Sequence, residues 1–210
     1  GIRFVFWPFA VNPTHFKDYG LPKEYDLTFT GLLRNPSLPH TQSDIRVRVQ
    51  QKLFHSIGEL RLTKRSRYQG IRLFWRARPS SHRIARLSRL LYGSDRIPAQ
   101  DYFTLLNRSR ICFNALSPLD LVTTRYYEAM ASKSLVLCPR HRAYGGLFED
   151  MRHCVMFEPD LSDFDEKLFH YLGHDAELEE MVERAYHHVR DNHTWERRVK
   201  EFTETVESYL

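Results

Sequence analysis

The sequence is short of sulfur and has no long apolar run. No stretch approaches the roughly 18–20 consecutive apolar residues of a membrane helix, so no transmembrane segment is expected. Its three cysteines, Cys112, Cys138 and Cys154, are an odd number set in apolar stretches, and no CxxC pair is present. They read as reduced core residues of a cytoplasmic protein, and no thiolate metal site is expected. There is no internal repeat and no low-complexity linker, which predicts one compact domain. The chain opens Gly-Ile-Arg-Phe, with neither Met nor a signal peptide, so it reads as a piece of something longer. What is present excludes disorder: of 210 residues 42% are apolar and 13% aromatic, too many large apolar side chains to remain in water.

The formal net charge of +5 conceals an uneven distribution. Residues 34–96 hold 15 Lys or Arg against 3 Asp or Glu, whereas residues 145–210 hold 7 against 17. The first part should attract polyanions and the last third should repel them. Solvated helix faces account for most of these arginines, but an excess this large points to phosphate somewhere.

Residues 2–7 form a β-like run ending at Pro8, and residues 25–30 alternate up to Gly31. A turn over 31–39 holds Arg34. Residues 42–57 carry Ile45, Val49, Leu53 and Ile57 at intervals of four, a helical stripe. Further strands are expected at 71–75, 110–115, 135–138 and 154–157. Helices are expected after Ser80 or Ser81, where Ile84, Leu87 and Leu91 recur before Gly93, and at 99–108, 124–132, 162–172, 175–191 and 194–209. This alternation predicts an α/β fold, a Rossmann-like doubly wound parallel sheet with helices on both faces and extra C-terminal helices. In such sheets ligands bind at the carboxyl ends of the strands, here the stretches 31–39, 76–81, 94–101 and 117–124.

One segment carries chemistry. The strand ending near Asn114 leads through a loop into a helix whose first turn holds Thr123, Thr124 and Arg125. Free backbone N–H groups, two hydroxyls and a guanidinium there suit a diphosphate. Glu128, three residues after Arg125, could accept the vicinal hydroxyls of a ribose. The plainer alternative is an exposed Arg125–Glu128 pair, worth a few tenths of a kcal/mol. His187, His188 and His193 are not read as a metal site, since adjacent histidines on a helix point about 100° apart. His193 precedes Thr194, which is expected to cap the last helix. His141 is read as a surface residue, Met130 as core, and Trp75 as facing one side of a central strand.

The segment resembles the donor-binding motif of nucleotide-sugar glycosyltransferases of the two-Rossmann (GT-B) fold. Asp120 and Glu128 are separated by seven residues, an Asp variant of that family's Glu-x7-Glu spacing. The run Thr124-Arg125-Tyr126-Tyr127-Glu128-Ala129-Met130-Ala131 is most similar to the spore-maturation-type subgroup. So are His193-Thr194-Trp195 with Arg198, Gly145-Gly146-Leu147-Phe148, Cys154-Val155-Met156-Phe157, and the opening Pro8-Phe9-Ala10 with residues 25–31. The chain departs from that pattern at Ser132-Lys133, where a small residue and glycine are usual.

The likeness covers nearly the whole chain, as the C-terminal, donor-binding half of such an enzyme. It implies that residues 1–19 belong to a hinge and residues 20–210 to a nucleotide-sugar-binding domain. Glu128 would hold the ribose, and Thr123, Thr124 and Arg125 the diphosphate. Ile97 and Pro98 would touch the base, Arg34 would contact phosphate or leaving group, and Asp120 would face the donor sugar. Arg34 and Arg125 could offset the leaving diphosphate without a metal, so no cofactor is expected. The implied partners are a nucleotide sugar and an absent N-terminal acceptor-binding domain, docked on the last two helices near Trp195 and Phe202. A basic module binding nucleic acid on the same fold, or a sugar-nucleotide epimerase, remain alternatives. No RNA-binding motif is present and the acidic C-terminal third opposes the first of these, so no nucleic-acid partner is expected.

Overall fold

Tyr25–Leu32 (β1) lies at the centre of a six-stranded sheet, because apolar Leu27 and Phe29 alternate with small or polar residues that both neighbours can cover. The computed structural model describes residues 4–32, 43–54, 62–78, 97–117 and 119–209. β1 is followed by Ser43–Phe54 (α1), Leu62–Tyr68 (β2), Ile71–Arg78 (β3), Ala99–Asn107 (α2) and Ser109–Phe113 (β4). Then come Thr124–Ala131 (α3), Leu135–Pro139 (β5), a 3₁₀ turn at Arg142–Tyr144, and Val155–Phe157 (β6). Three helices close the chain: Phe164–Gly173 (α4), Asp175–Asn192 (α5) and Trp195–Glu207 (α6).

The strand order is β2-β3-β1-β4-β5-β6. Five strands are parallel, as the alternation predicts, and β5 and β6 are buried on both faces. β2 is an addition that no apolar periodicity announced. It runs antiparallel to β3 through Gln69-Gly70, both at positive φ (46° and 93°), the turn geometry that matches strand twist. Its basic, polar sequence suits an edge.

Helices cover both faces. On one, Ile45, Val49 and Leu53 of α1 pack with Leu168 of α4 and Leu178 of α5 against Phe29, Trp75, Phe113 and Phe157. The stripe of four-residue spacing is therefore the core face of α1, although Ile57 lies outside the described residues. Trp75 is fully buried and donates Nε1–H to Gln50 Oε1 at 2.9 Å. On the other face, Tyr126, Tyr127 and Met130 of α3 and Ala185 and Val189 of α5 meet Cys112, Val136 and Met156. All three cysteines are buried and free, and burial pushes the Cys112 thiol up to about 11.

The strand expected at residues 2–7 does not form over the described residues 4–7. That segment lies against α6, with Trp7 and Phe202 ring centroids 5.3 Å apart, and the bridge of this part of the chain falls later, between Val11 and Thr194. Apolar contact with α6, not strand pairing, is what holds it. The helix expected around Ile84 to Leu91 lies outside the described residues. Thr194 caps α6 as expected, accepting the Arg197 N–H at 3.3 Å. No residue of α6 is buried, and Trp195 and Phe202 are each 53% exposed. With Trp7, Pro8 and Phe9 they line an apolar cavity of about 320 Å³. Among the described residues no helix is long and apolar enough to cross a membrane.

Candidate functional site

The chain leaves β1 toward β3 on one side, and later returns to place β4 on the other side of β1. That reversal opens a crevice between the carboxyl ends of β1 and β4, the usual ligand position in such sheets. Gly31 lies at the end of β1, and Asn114 to Leu116 continue from β4. Asn114 is tied to both neighbours: its N–H donates to Leu137 O at 3.0 Å, and its side-chain amide to Arg125 O at 3.4 Å.

The start of α3 therefore sits over this crevice. Thr123 occupies the position before the helix in extended backbone (φ −91°, ψ 167°), and its side chain makes no capping hydrogen bond, although the Tyr126 N–H turns back to Thr123 O at 3.2 Å. Because Tyr126, Tyr127, Ala129 and Met130 take the core face, Arg125 and Glu128, three residues apart, fall on the opposite one. The Arg125 guanidinium is packed so closely over β1 that a Cβ on Gly31 would stand 2.7 Å from its Nη1. Among the described residues Arg125 has no carboxylate within ion-pair distance.

A second cation lies behind it. Arg46 of α1 is 6% exposed and donates Nη2–H to Ala115 O at 3.0 Å and to Leu116 O at 2.6 Å, which holds the loop after β4. Burial, and then the nearby Arg125 charge, push its pKa down to about 10. Sequence reading missed Arg46; its only signal was an arginine next to Ile45 on an apolar stripe. Arg34 lies outside the described residues.

Glu128 does not form the exposed pair with Arg125. Its Oε2 accepts the Tyr102 hydroxyl at 3.0 Å. Burial raises its pKa, opposed by hydrogen bonds from Tyr102 and Thr124 and by the Arg125 charge. Tyr102 belongs to α2, whose start is fixed by Pro98: the Tyr102 N–H donates to Pro98 O at 3.0 Å. Ile97 is partly buried and Pro98 exposed. The structure thus links Pro98, Tyr102 and Glu128 in one chain of contacts.

Asp120 sits in a tight loop. Ser117 Oγ accepts the N–H groups of Leu119 and Leu121 at 3.2 and 3.1 Å, and Asp120 N–H donates to Ser117 O at 2.9 Å. Asp120 has φ +57°, a left-handed conformation that aspartate tolerates better than most residues. Its Oδ1 is buried without a hydrogen-bond partner, and its Oδ2 lies 3.9 Å from His141 Nε2. His141, expected at the surface, is half-buried at the end of β5; its Nδ1 accepts the Ala143 N–H at 3.2 Å, which places the ring proton on Nε2.

Away from this crevice, His188 of α5 stacks on His153 with centroids 3.9 Å apart, and its Nε2 lies 3.2 Å from His193 Nε2. Asp163-Phe164-Asp165 has the spacing of a metal-binding pair, but Asp163 is matched by Lys167 at 2.7 Å and Asp165 by Lys52 at 2.8 Å. Among the described residues no three His, Cys, Asp or Glu side chains are gathered as metal ligands.

A family model described as glycosyl transferase-like matches residues 51–204. No curated protein sequence matches the chain. Among solved structures, sucrose-phosphate synthase from Thermosynechococcus elongatus aligns with a TM-score of 0.60 and 11% identity, over 97% of this chain and 52% of that one. The chain therefore spans about half the length of that structure, and the likeness concerns the fold alone. The C-terminal domain of a glycosyl transferase group 1 family protein from Francisella tularensis aligns at 0.47 and 15% identity, over 91% of this chain and 97% of that one.

Proposed function

The chain belongs to the glycosyl transferase-like family, and from that premise we propose that it binds the nucleotide-sugar donor of a glycosyl transfer whose acceptor is held by a further domain. The observation that carries this reading is the guanidinium of Arg125, held over Gly31 and backed by buried Arg46, at the uncapped start of α3. A diphosphate meets there two fixed cations and free backbone donors. Glu128 lies about 4.5 Å further along the helix axis, where a ribose attached to that diphosphate would present its two hydroxyls. Ile97 and Pro98 would flank the base.

The Asp120 side chain is 41% exposed beside His141, and its carboxylate is the group that a hydroxyl of the donor sugar would meet. Glycosyl transfer builds negative charge on the departing nucleoside diphosphate. Arg125 and Arg46, with Arg34 as a further contact, stabilise that charge more in the transition state than in the ground state. The proposed transfer is accordingly metal-independent. The run from Thr124 to Ala131 supports a place near the spore-maturation-type enzymes within the family.

The test is calorimetric titration of the 210-residue chain with adenosine, guanosine and uridine diphosphates and their sugars. One-site binding with modest salt dependence is expected for at least one base. Failure of every ligand to bind, or a steep salt slope that counts many phosphates, would overturn the reading.

A further inference from the structure

The Glu128 carboxylate is bonded to the Tyr102 hydroxyl, and Tyr102 is also the residue whose N–H hydrogen-bonds Pro98. We propose that Tyr102 is a positioning residue that joins the ribose and base subsites into one rigid unit: its hydroxyl aims the Glu128 carboxylate and its backbone N–H holds the Pro98 carbonyl. The inference rests on the donor-site reading and adds to it the residue on which nucleoside recognition depends.

The geometry supports this in three steps. A glutamate side chain without partners samples several rotamers, and ordering it costs entropy that ligand binding would have to offset. The Tyr102 hydroxyl at 3.0 Å from Oε2 removes that freedom beforehand. A carboxylate offers about four acceptor positions, so with Tyr102 and Thr124 each donating one hydrogen bond about two remain for the vicinal hydroxyls.

Tyr102 is itself held. Phe16 stands edge-on to its ring with centroids 6.0 Å apart, and the same Phe16 meets Phe103 of α2 at 4.8 Å. Burial raises the Tyr102 pKa, with the Glu128 charge adding to it, so the hydroxyl stays a donor across the physiological range. The N–H of Tyr102 on Pro98 O is the first hydrogen bond of α2. Any shift of the helix that would misplace the hydroxyl therefore also moves the segment proposed to touch the base.

The experiment compares wild type, Tyr102→Phe, Glu128→Ala and the double variant by calorimetry, each titrated with uridine, adenosine and guanosine diphosphates and with their 2′-deoxy counterparts. Tyr102→Phe keeps the ring and its packing. It is expected to lower the ribo-over-deoxy affinity ratio about five- to tenfold, the scale of one hydrogen bond, and to change nothing further when added to Glu128→Ala. It should also move the loss of ribonucleotide affinity on acidification to higher pH, because the lost hydrogen bond holds the Glu128 pKa down. Equal losses for ribo and deoxy ligands, or a loss that persists on the Glu128→Ala background, would make Tyr102 a packing residue only and overturn the inference. If Glu128→Ala lowers the ratio and Tyr102→Phe does not, the inference fails alone. If Glu128→Ala itself leaves the ratio unchanged, the ribose assignment fails, and this inference with it.

Discussion

Gly31 and Arg125 are in contact across the crevice: a methyl group on Gly31 would sit 2.7 Å from Arg125 Nη1 and 3.2 Å from the Phe29 ring. Gly31 is not among the residues at positive φ, so the glycine is there for space rather than for backbone conformation. Gly31→Ala should displace the guanidinium while leaving β1 in place. We expect it to weaken nucleoside diphosphate binding several-fold and to leave nucleoside binding almost unchanged. Arg125→Ala should show the same selectivity at about 1.5–3 kcal/mol, the range for a hydrogen bond to a charged group. Titrating both ligands against both variants checks this; equal losses for nucleoside and diphosphate would mean that Arg125 serves the fold.

Glu128→Ala should cost about 2–3 kcal/mol of nucleoside diphosphate affinity, because two hydrogen bonds to a carboxylate are lost. Burial places the Glu128 pKa above the usual carboxylate value. Affinity should accordingly fall as pH drops through that raised pKa, since the protonated form accepts less well. Unchanged affinity in folded Glu128→Ala protein would remove Glu128 from the site.

The histidine cluster predicts acid sensitivity. Burial, then the Arg198 charge and His188, push the His193 pKa down to about 3; burial, then His188, push His153 down to about 4. Glu149 acts in the opposite sense on His153, while Arg152 and Arg184 add to its depression. The unfolded chain takes up these protons near pH 6.5, before the folded state does. Stability is therefore full above that value and declines as pH falls toward 4. We expect a loss of a few kcal/mol between pH 7 and 4.5, below the roughly 5 kcal/mol that two groups at 1.36 kcal/mol for each pH unit of unequal protonation would give, because solvent screens both rings in part. In His193→Gln that slope should flatten, as read by urea unfolding at both pH values. An identical slope in the variant would place the acid sensitivity elsewhere.

Lys133 stands where the related pattern has glycine. Ser134 N–H donates to Ala129 O and Lys133 N–H to Met130 O, a helix end that requires φ > 0, and Lys133 has φ +57°. Its side chain offsets part of the strain by pairing with Glu183 and lying 4.3 Å from the Tyr186 ring centroid. Lys133→Gly should therefore be more stable than Lys133→Ala by about 1 kcal/mol, the cost of a left-handed Cβ. Thermal unfolding of the two variants decides it, and equal stability would show that the helix end relaxes.

The 210-residue chain should bind a donor yet fail to sustain transfer. Holding both reactants at attack distance contributes about 7–11 kcal/mol of barrier lowering, and the proposed acceptor domain supplies half of that geometry. Product analysis after incubation with donor and candidate acceptors tests it. Sustained turnover would place a complete active site within these residues.

Local pattern was enough for much of this. The four-residue spacing of Ile45, Val49 and Leu53 and the apolar runs of β4 to β6 marked the core faces, and the alternation of those elements implied a parallel sheet. The seven-residue spacing from Asp120 to Glu128 and the helix start at Thr124 were also local, and so legible. Contacts between distant segments were not. Nothing in the sequence joined Gly31 to Arg125, Arg46 to Leu116, or Tyr102 to Glu128: the first two pairs meet once β1 and β4 lie side by side, and the third once the helices before and after β4 pack together. Residues 4–7 have β-forming side chains but run beside α6 rather than beside a strand, whereas polar Leu62–Tyr68 became a strand because β3 offered it an edge. Periodicity records which face of an element is buried; which partner buries it is decided by the order of strands in the sheet, and only the folded chain contains that.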